Sequence, residues 1–200
     1  SEMLSGISHD LRTPLTRLKL QLAMVSDKNI SGNMSKDIDE MENMLNDYLQ
    51  FAKTQAKENT EKVSLKDLFN IIEKRIKNSN VNVKIESDVS FYGRKNALQR
   101  CFSNVINNSL MYGEKINITV QKSSNRAVIL FDDDGPGIPP EHYRNVFKPF
   151  FRLDKSRSLN KSGVGLGLAI VEDIVHSHGG NIQLSKSELG GLQVKISLPF

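Results

Sequence analysis

Five short stretches of this chain carry side chains that could do chemistry. SHDLRTPL, residues 8–15, places His9 beside Asp10, with Arg12 and Thr13 just beyond. An imidazole with a reference pKa of about 6.5 is mostly neutral near pH 7 and offers a lone pair. NVINN, residues 104–108, sets Asn104 and Asn108 at i and i+4 on one helical face, with Tyr112 one turn further on. Repeated asparagines on the buried side of a helix are costly unless a ligand or network satisfies them, and their oxygens can coordinate a hard cation such as Mg²⁺. DDDGPGI, residues 132–138, and GVGLGL, residues 163–168, bring glycines to the end of a strand and the start of a helix. There the backbone can approach a ligand, and free helix N–H groups suit phosphate. Between them, residues 152–162 hold four basic side chains, Arg152, Lys155, Arg157 and Lys161, against one acid. Phosphates are expected at that local excess. Each stretch alone is weak, since DDDGPG also reads as a polar turn and the basic stretch as a solvated one. Neither glycine motif matches GxxxxGK[ST] or GxGxxG, so P-loop, dinucleotide and protein-kinase glycine loops lack support.

The elements that must position these groups differ between the two halves. Leu4, Ile7, Leu11, Leu15, Leu18, Leu22 and Val25 recur at steps of three and four, as do Met34, Ile38, Met41, Leu45, Tyr48 and Ala52. Ser31, Gly32 and Asn33 break the pattern, which predicts an antiparallel helical hairpin with its connection near Ser26 to Asn33. Two helices cannot enclose both stripes, so a homodimer closing a four-helix bundle is the economical solution, with packing onto the second half as the other. With Leu4, Leu11, Leu18 and Val25 at heptad position a, His9 falls at f and points outward. Pro14 should loosen the turn just after it. Beyond a polar segment, the periods predict helices around residues 65–76, 98–106 and 166–178 and strands around 81–85, 116–120, 127–131, 182–184 and 194–198, with Gly190 and Gly191 turning between the last two. The expected fold class is α+β: a helical hairpin at 1–58, a linker at 59–62, and a two-layer α/β sandwich of largely antiparallel sheet at 63–200.

Composition is that of an ordinary globular chain, 38% hydrophobic and 25% charged over 200 residues. No apolar run approaches the roughly 20 residues needed to cross a bilayer, so no direct membrane contact is expected of this stretch. The net charge of +4 hints at anionic partners, but no block of five or more Lys/Arg occurs, and nucleic acid is not an expected partner. The lone Cys101 excludes an internal disulfide and is expected in the core. His142, after a Pro-Pro turn, is expected to be exposed. His176 and His178 do not share a helix face, and no zinc site is expected. The chain starts at Ser1, two residues before a periodic apolar run, as a piece of a longer protein would.

SHDLRTPL, NVINN, DDDGPGI, the phenylalanine-rich FKPFFR and GVGLGL occur in the order and spacing of the H, N, G1, F and G2 boxes of bacterial sensor histidine kinases. Nearly the whole chain resembles their dimerisation and phosphotransfer hairpin followed by a Bergerat-type ATP-binding domain. The resemblance implies that His9 is the phosphoacceptor, with Asp10 orienting its ring and Arg12 contacting the phosphoryl group. Thr13 would position a water that dephosphorylates a response regulator. Asp133 would accept from the adenine amino group beside the Gly135–Gly137 turn, Asn108 would ligate Mg²⁺, Asn104 would support the phosphates, and Tyr112 would cover the nucleotide. Backbone donors from Gly163, Val164, Gly165, Leu166, Gly167 and Leu168 and the charges of Arg152, Lys155, Arg157 and Lys161 would meet the triphosphate of ATP. The implied activity is autophosphorylation, phosphotransfer to a response-regulator aspartate and regulator phosphatase, in the cytoplasmic part of an inner-membrane-anchored parent.

Two positions depart from the family pattern. Met111 stands where many relatives carry a basic residue, and Val164 replaces a small or hydroxylated one. The alternatives are a non-kinase ATPase of the same superfamily, resembling Hsp90, MutL or the gyrase B subunit, or a docking module whose nucleotide site has decayed. The first lacks a phosphoacceptor hairpin, and the retained Asn108, Asp133 and G2 glycines argue against the second.

Overall fold

The computed structural model describes residues 14–26, 28, 30–32, 34–36, 38–39, 41–42, 45, 58–76, 80–149, 151–153 and 165–200. The chain divides into two compact units, Ser1–Lys57 and Glu58–Phe200. Among the described residues, no helix is long and apolar enough to cross a membrane.

In the first unit, residues 14–22 are helical (α1), as are the described residues between 28 and 45 (α2). Leu15, Leu22 and Ile38 form a buried cluster with Leu45 packed against it, so among the described residues these members of the two predicted stripes face each other. Lys19 binds Asp39 and Glu42 across the pair, each at 2.7 Å, and the Asp39 carboxylate raises the lysine pKa. The connection falls at the leading edge of the expected Ser26–Asn33 stretch. It lies at Ala23–Ser26, where Met24 N–H bonds Gln21 O and Val25 N–H bonds Leu22 O, both at 3.1 Å, in the tightened last turn of α1. Ser31 and Gly32 are helical; an added Cβ at Gly32 would meet nothing within 4 Å, so the glycine sits on an open helix face and marks no break. Leu20, Met24, Ile30, Met34 and Met41 remain exposed.

The second unit begins with β1 (Glu61–Ser64), paired antiparallel to β3 (Ser90–Gly93). Sequence reading placed Glu61 and Lys62 in a linker and missed both short strands, because an alternation of two apolar residues is too brief to register. Helix α3 (Leu65–Ile76) and strand β2 (Val81–Ile85) follow, then α4 (Lys95–Tyr112), β4 (Ile116–Ser123), β5 (Arg126–Asp133), α5 (Gly167–Ser177), β6 (Asn181–Lys186) and β7 (Leu192–Pro199). The main sheet has the order β2-β4-β5-β7-β6, parallel only at β2–β4. These elements match the predicted periods.

Strand alternation decides which side chains meet the helices. In β5, Ala127, Ile129, Phe131 and Asp133 are buried at every second position, and Leu192, Val194, Ile196 and Leu198 repeat this in β7. The rings of Phe69 from α3 and Phe102 from α4 stack at 5.1 Å, and Phe131 lies 5.9 Å from Phe102. Cys101 is fully buried beside them, and desolvation pushes its thiol pKa up. Phe102→Ala is expected to cost about 3–5 kcal/mol, because the lost ring leaves a cavity between two rigid layers. Urea unfolding measures it, and a midpoint close to the parent's would contradict this role.

Candidate functional site

The site is built where the C-terminal ends of α4 and β5 meet. Asp133 continues the inward register of Phe131, so its carboxylate is only 5% exposed at the edge of the core. Its Oδ1 accepts from Gly135 N–H at 3.0 Å and from Leu192 N–H at 2.9 Å. Both bonds fall on one oxygen, which leaves Oδ2 to meet a ligand's donor. The next residue points elsewhere: Asp134 Oδ1 accepts from Glu114 and Lys115 N–H at 2.8 and 2.9 Å, and these donors, Lys115 foremost, lower its pKa. Of the three aspartates, Asp132 is held by Gln193 and Asp134 by the turn after α4, so Asp133 is the one aimed inward.

Gly113 ends α4 and lies against the Gly135 backbone, where an added Cβ would come 2.9 Å from Gly135 N. Gly137 has φ +72° and lies against the Gly191 carbonyl. The turn after β5 is thus wedged between the end of α4 and the β6–β7 turn, and at Gly113 the approach leaves no space for a Cβ.

Helix α4 carries Asn104, Asn108 and Tyr112 on successive turns, the asparagines half-buried and the tyrosine exposed. Neither asparagine side chain makes a hydrogen bond among the described residues, which leaves the Asn108 oxygen free for a hard cation. Met111 is half-buried on the same helix.

Helices α4 and α5 run antiparallel. Arg94 N–H, at the start of α4, donates to His178 Nε2 at 3.1 Å just past the end of α5, and Cys101 Sγ lies 4.0 Å from Val171 O. Gly167 is one turn before Val171, about 6 Å further along, which brings the start of α5 alongside the Asn104–Asn108 stretch. No side chain caps α5 at Leu166, and an added Cβ at Gly167 would meet nothing within 4 Å. Its first N–H groups, including those of Gly167 and Leu168, lie at an open, uncapped helix start that suits an anion. Gly165, at φ +74°, turns the chain into this helix. Arg152 is half-buried and lies beyond a 3₁₀ turn at Asn145–Phe147.

Sequence reasoning thus placed Asn104, Asn108, Tyr112, Asp133, Gly135, Gly137, Gly165, Leu166, Gly167 and Leu168 on elements that the fold brings together. His9, Asp10, Arg12, Thr13, Lys155, Arg157, Lys161, Gly163 and Val164 lie outside the described residues. The β6–β7 turn was missed as part of the site; Gly190–Gly191 read only as a hairpin signal, and nothing local told of Asp133. His142 is corrected. It is half-buried, its ring centroid is 5.9 Å from that of Phe151, and its buried Nδ1 has no hydrogen-bond partner among the described residues. His178 is a structural link, its Nδ1 paired with Ile174 O at 2.7 Å and its pKa lowered chiefly by burial. Glu58 caps the start of α4, accepting from Asn96 and Ala97 N–H at 2.5 and 3.0 Å.

Residues 93–200 match the family described as histidine kinase-, DNA gyrase B- and HSP90-like ATPase, and residues 1–57 match the His kinase A phospho-acceptor domain. The chain is 38% identical to the sensor histidine kinase GtrS of Pseudomonas aeruginosa over 99% of its length and 41% of that protein. It is 36% identical to CpxA of Escherichia coli over 99% of its length and 46% of CpxA. It therefore spans less than half the length of these relatives. Among solved structures, the histidine kinase domain of the E. coli osmosensor EnvZ superposes with a TM-score of 0.56 at 31% identity, covering 72% of this chain and 90% of that one.

Proposed function

Because the chain belongs to the sensor histidine kinases, we propose that it is a catalytic core that phosphorylates its own His9 from ATP, transfers the group to a response-regulator aspartate, and dephosphorylates that regulator. The observation that carries this reading is the Asp133 carboxylate, inward in β5 and held through Oδ1 by two backbone donors. An acceptor-only group suits the amino group of adenine and disfavours the carbonyl of guanine.

On this reading, Oδ2 of Asp133 takes the adenine amino group and Tyr112 lies over the nucleotide. The N–H groups at the start of α5 bind phosphate, helped by Arg152, Lys155, Arg157 and Lys161. Asn108 holds Mg²⁺, with Asn104 beside the phosphates; the cation, when bound, neutralises triphosphate charge. His9 attacks the γ-phosphorus through a ring-nitrogen lone pair. An N–P bond forms, the bond from that phosphorus to the bridging oxygen breaks, and ADP leaves with the bond's electron pair. Asp10 accepts a hydrogen bond from the other ring nitrogen and stabilises the positive charge that grows on the ring, while Arg12 meets the transferred group. Such transfer needs in-line positioning above all.

Exposed Leu20, Met24, Ile30, Met34 and Met41 support a homodimer that closes a four-helix bundle. The domain division is proposed as phosphotransfer hairpin, short linker and ATP-binding domain, in the cytoplasmic part of an inner-membrane-anchored protein. Incubation with γ-labelled ATP and Mg²⁺ tests the kinase: acid-labile, base-stable label on the protein supports it, and ATP hydrolysis without protein label would point to a non-kinase ATPase. Thr13→Ala is expected to keep autophosphorylation and slow regulator dephosphorylation by roughly a hundredfold, the scale of a lost positioning contact. Release of labelled phosphate from the regulator measures it; an unchanged rate refutes the role.

A further inference from the structure

We propose that the β6–β7 turn and the first residue of β7, Gly190 to Leu192, set base selectivity by fixing the plane of the Asp133 carboxylate; this rests on reading Asp133 as the acceptor for the adenine amino group. A carboxylate turns readily about its last side-chain bond, whose preference is broad. The bond from Gly135 N–H comes from two residues away on the same turn and moves with it. The bond from Leu192 N–H arrives from 59 residues away, on another strand. Two donors on one oxygen from separate elements hold the plane.

The turn also holds the backbone of Asp133, since Gly191 N–H donates to Asp133 O at 3.1 Å. The turn is itself tied down. Gly191 O accepts from Ser187 N–H at 2.9 Å, Ser187 O accepts from Gly190 N–H at 3.1 Å, and the Oγ of buried Ser187 accepts from Leu189 N–H at 3.1 Å. Gly190 sits at φ +103°, a conformation L side chains rarely adopt. At Gly191 an added Cβ would overlap Asp133 Oδ1 and lie 2.5 Å from Gly135 N and 2.6 Å from Asp133 O. Only glycine lets the turn pass beneath the carboxylate.

The functional consequence concerns the base at its six position. A loosely held carboxylate could swing away from a six-oxo purine and admit a water between them. A pinned one keeps its oxygen in place, so the repulsion from a carbonyl is retained and the amino group is selected. Gly191 and Leu192 act through Asp133 and are positioning residues.

Calorimetric titration of the 200-residue chain with ADP and with inosine diphosphate, which differ at that position, tests this. The parent is expected to prefer ADP by at least about tenfold, and Gly191→Ala to bring the ratio close to one through weaker ADP binding. Asp133→Asn separates the two readings. If it removes the ADP preference while Gly191→Ala keeps it, the turn has no such role; if Asp133→Asn leaves the ratio unchanged, the reading of Asp133 itself falls, and the proposal with it. A measurement on the parent chain serves where Gly191→Ala does not fold. Saturating ADP should shift the Leu192 amide proton, whose acceptor is the recognising carboxylate, and an unmoved Leu192 amide overturns the proposal.

Discussion

His9→Gln is expected to abolish acid-labile, base-stable labelling from γ-labelled ATP while leaving ADP affinity unchanged. The amide nitrogen of glutamine has its lone pair delocalised into the carbonyl, so the replacement keeps polarity and approximate size but removes the nucleophile. The variant lies in the first unit, whereas Asp133, Asn108 and the start of α5 lie in the second, so nucleotide binding gives an internal control. The other three histidines are poor substitutes to different degrees. His178 has one ring nitrogen accepting from Arg94 N–H and the other paired with Ile174 O. His142 has its Nδ1 buried and its ring against Phe151. His176 alone among them is exposed. Retained label in His9→Gln, mapped to His176 or elsewhere, would sink the assignment of the phosphoacceptor.

The second large effect is expected from Asp133→Asn, which should weaken ADP binding by roughly a hundredfold and improve binding of inosine diphosphate. Leu192 and Gly135 both donate to the same oxygen. The asparagine oxygen must therefore take that place, because turning the amide around would set an NH₂ against two N–H donors. The NH₂ then faces the ligand. Against the adenine amino group this is donor on donor, and the loss of a charge-assisted bond together with an unpaired buried group amounts to about 3 kcal/mol, near a hundredfold. Against a six-oxo purine the same NH₂ finds an acceptor. Titrations with both nucleotides read the reversal, and parallel losses for both would show that the side chain supports the fold instead of reading the base.

The two effects also separate what each unit contributes. Loss of label with intact ADP binding locates the defect in the acceptor, and loss of ADP binding with inverted preference locates it in the base site. A decayed docking module would show neither response.

Much of this protein is legible in its residue order. The period of α3, α4 and α5 and the alternation along β4, β5 and β7 follow from burying one face of each element, and that demand is local to the segment. The same alternation already put Asp133 in phase with Ile129 and Phe131, and the four-residue step already aligned Asn104 with Asn108. Other features depend on which segments meet. The hairpin turn falls at Ala23–Ser26, ahead of the Ser-Gly-Asn run that looked like its punctuation, because helical pairing of Leu15 and Leu22 with Ile38 outweighs one exposed glycine. The strands β1 and β3 exist through pairing with each other, and neither is long enough to declare itself alone. His178 read only as a histidine outside any zinc site, and the antiparallel approach of α4 gave it the Arg94 N–H. The β6–β7 turn became part of the base site because β7 lies beside β5 in the sheet, bringing the Leu192 N–H to Asp133. Side-chain periodicity records which face is buried; the direction of a backbone N–H toward a carboxylate 59 residues away is set when the sheet closes.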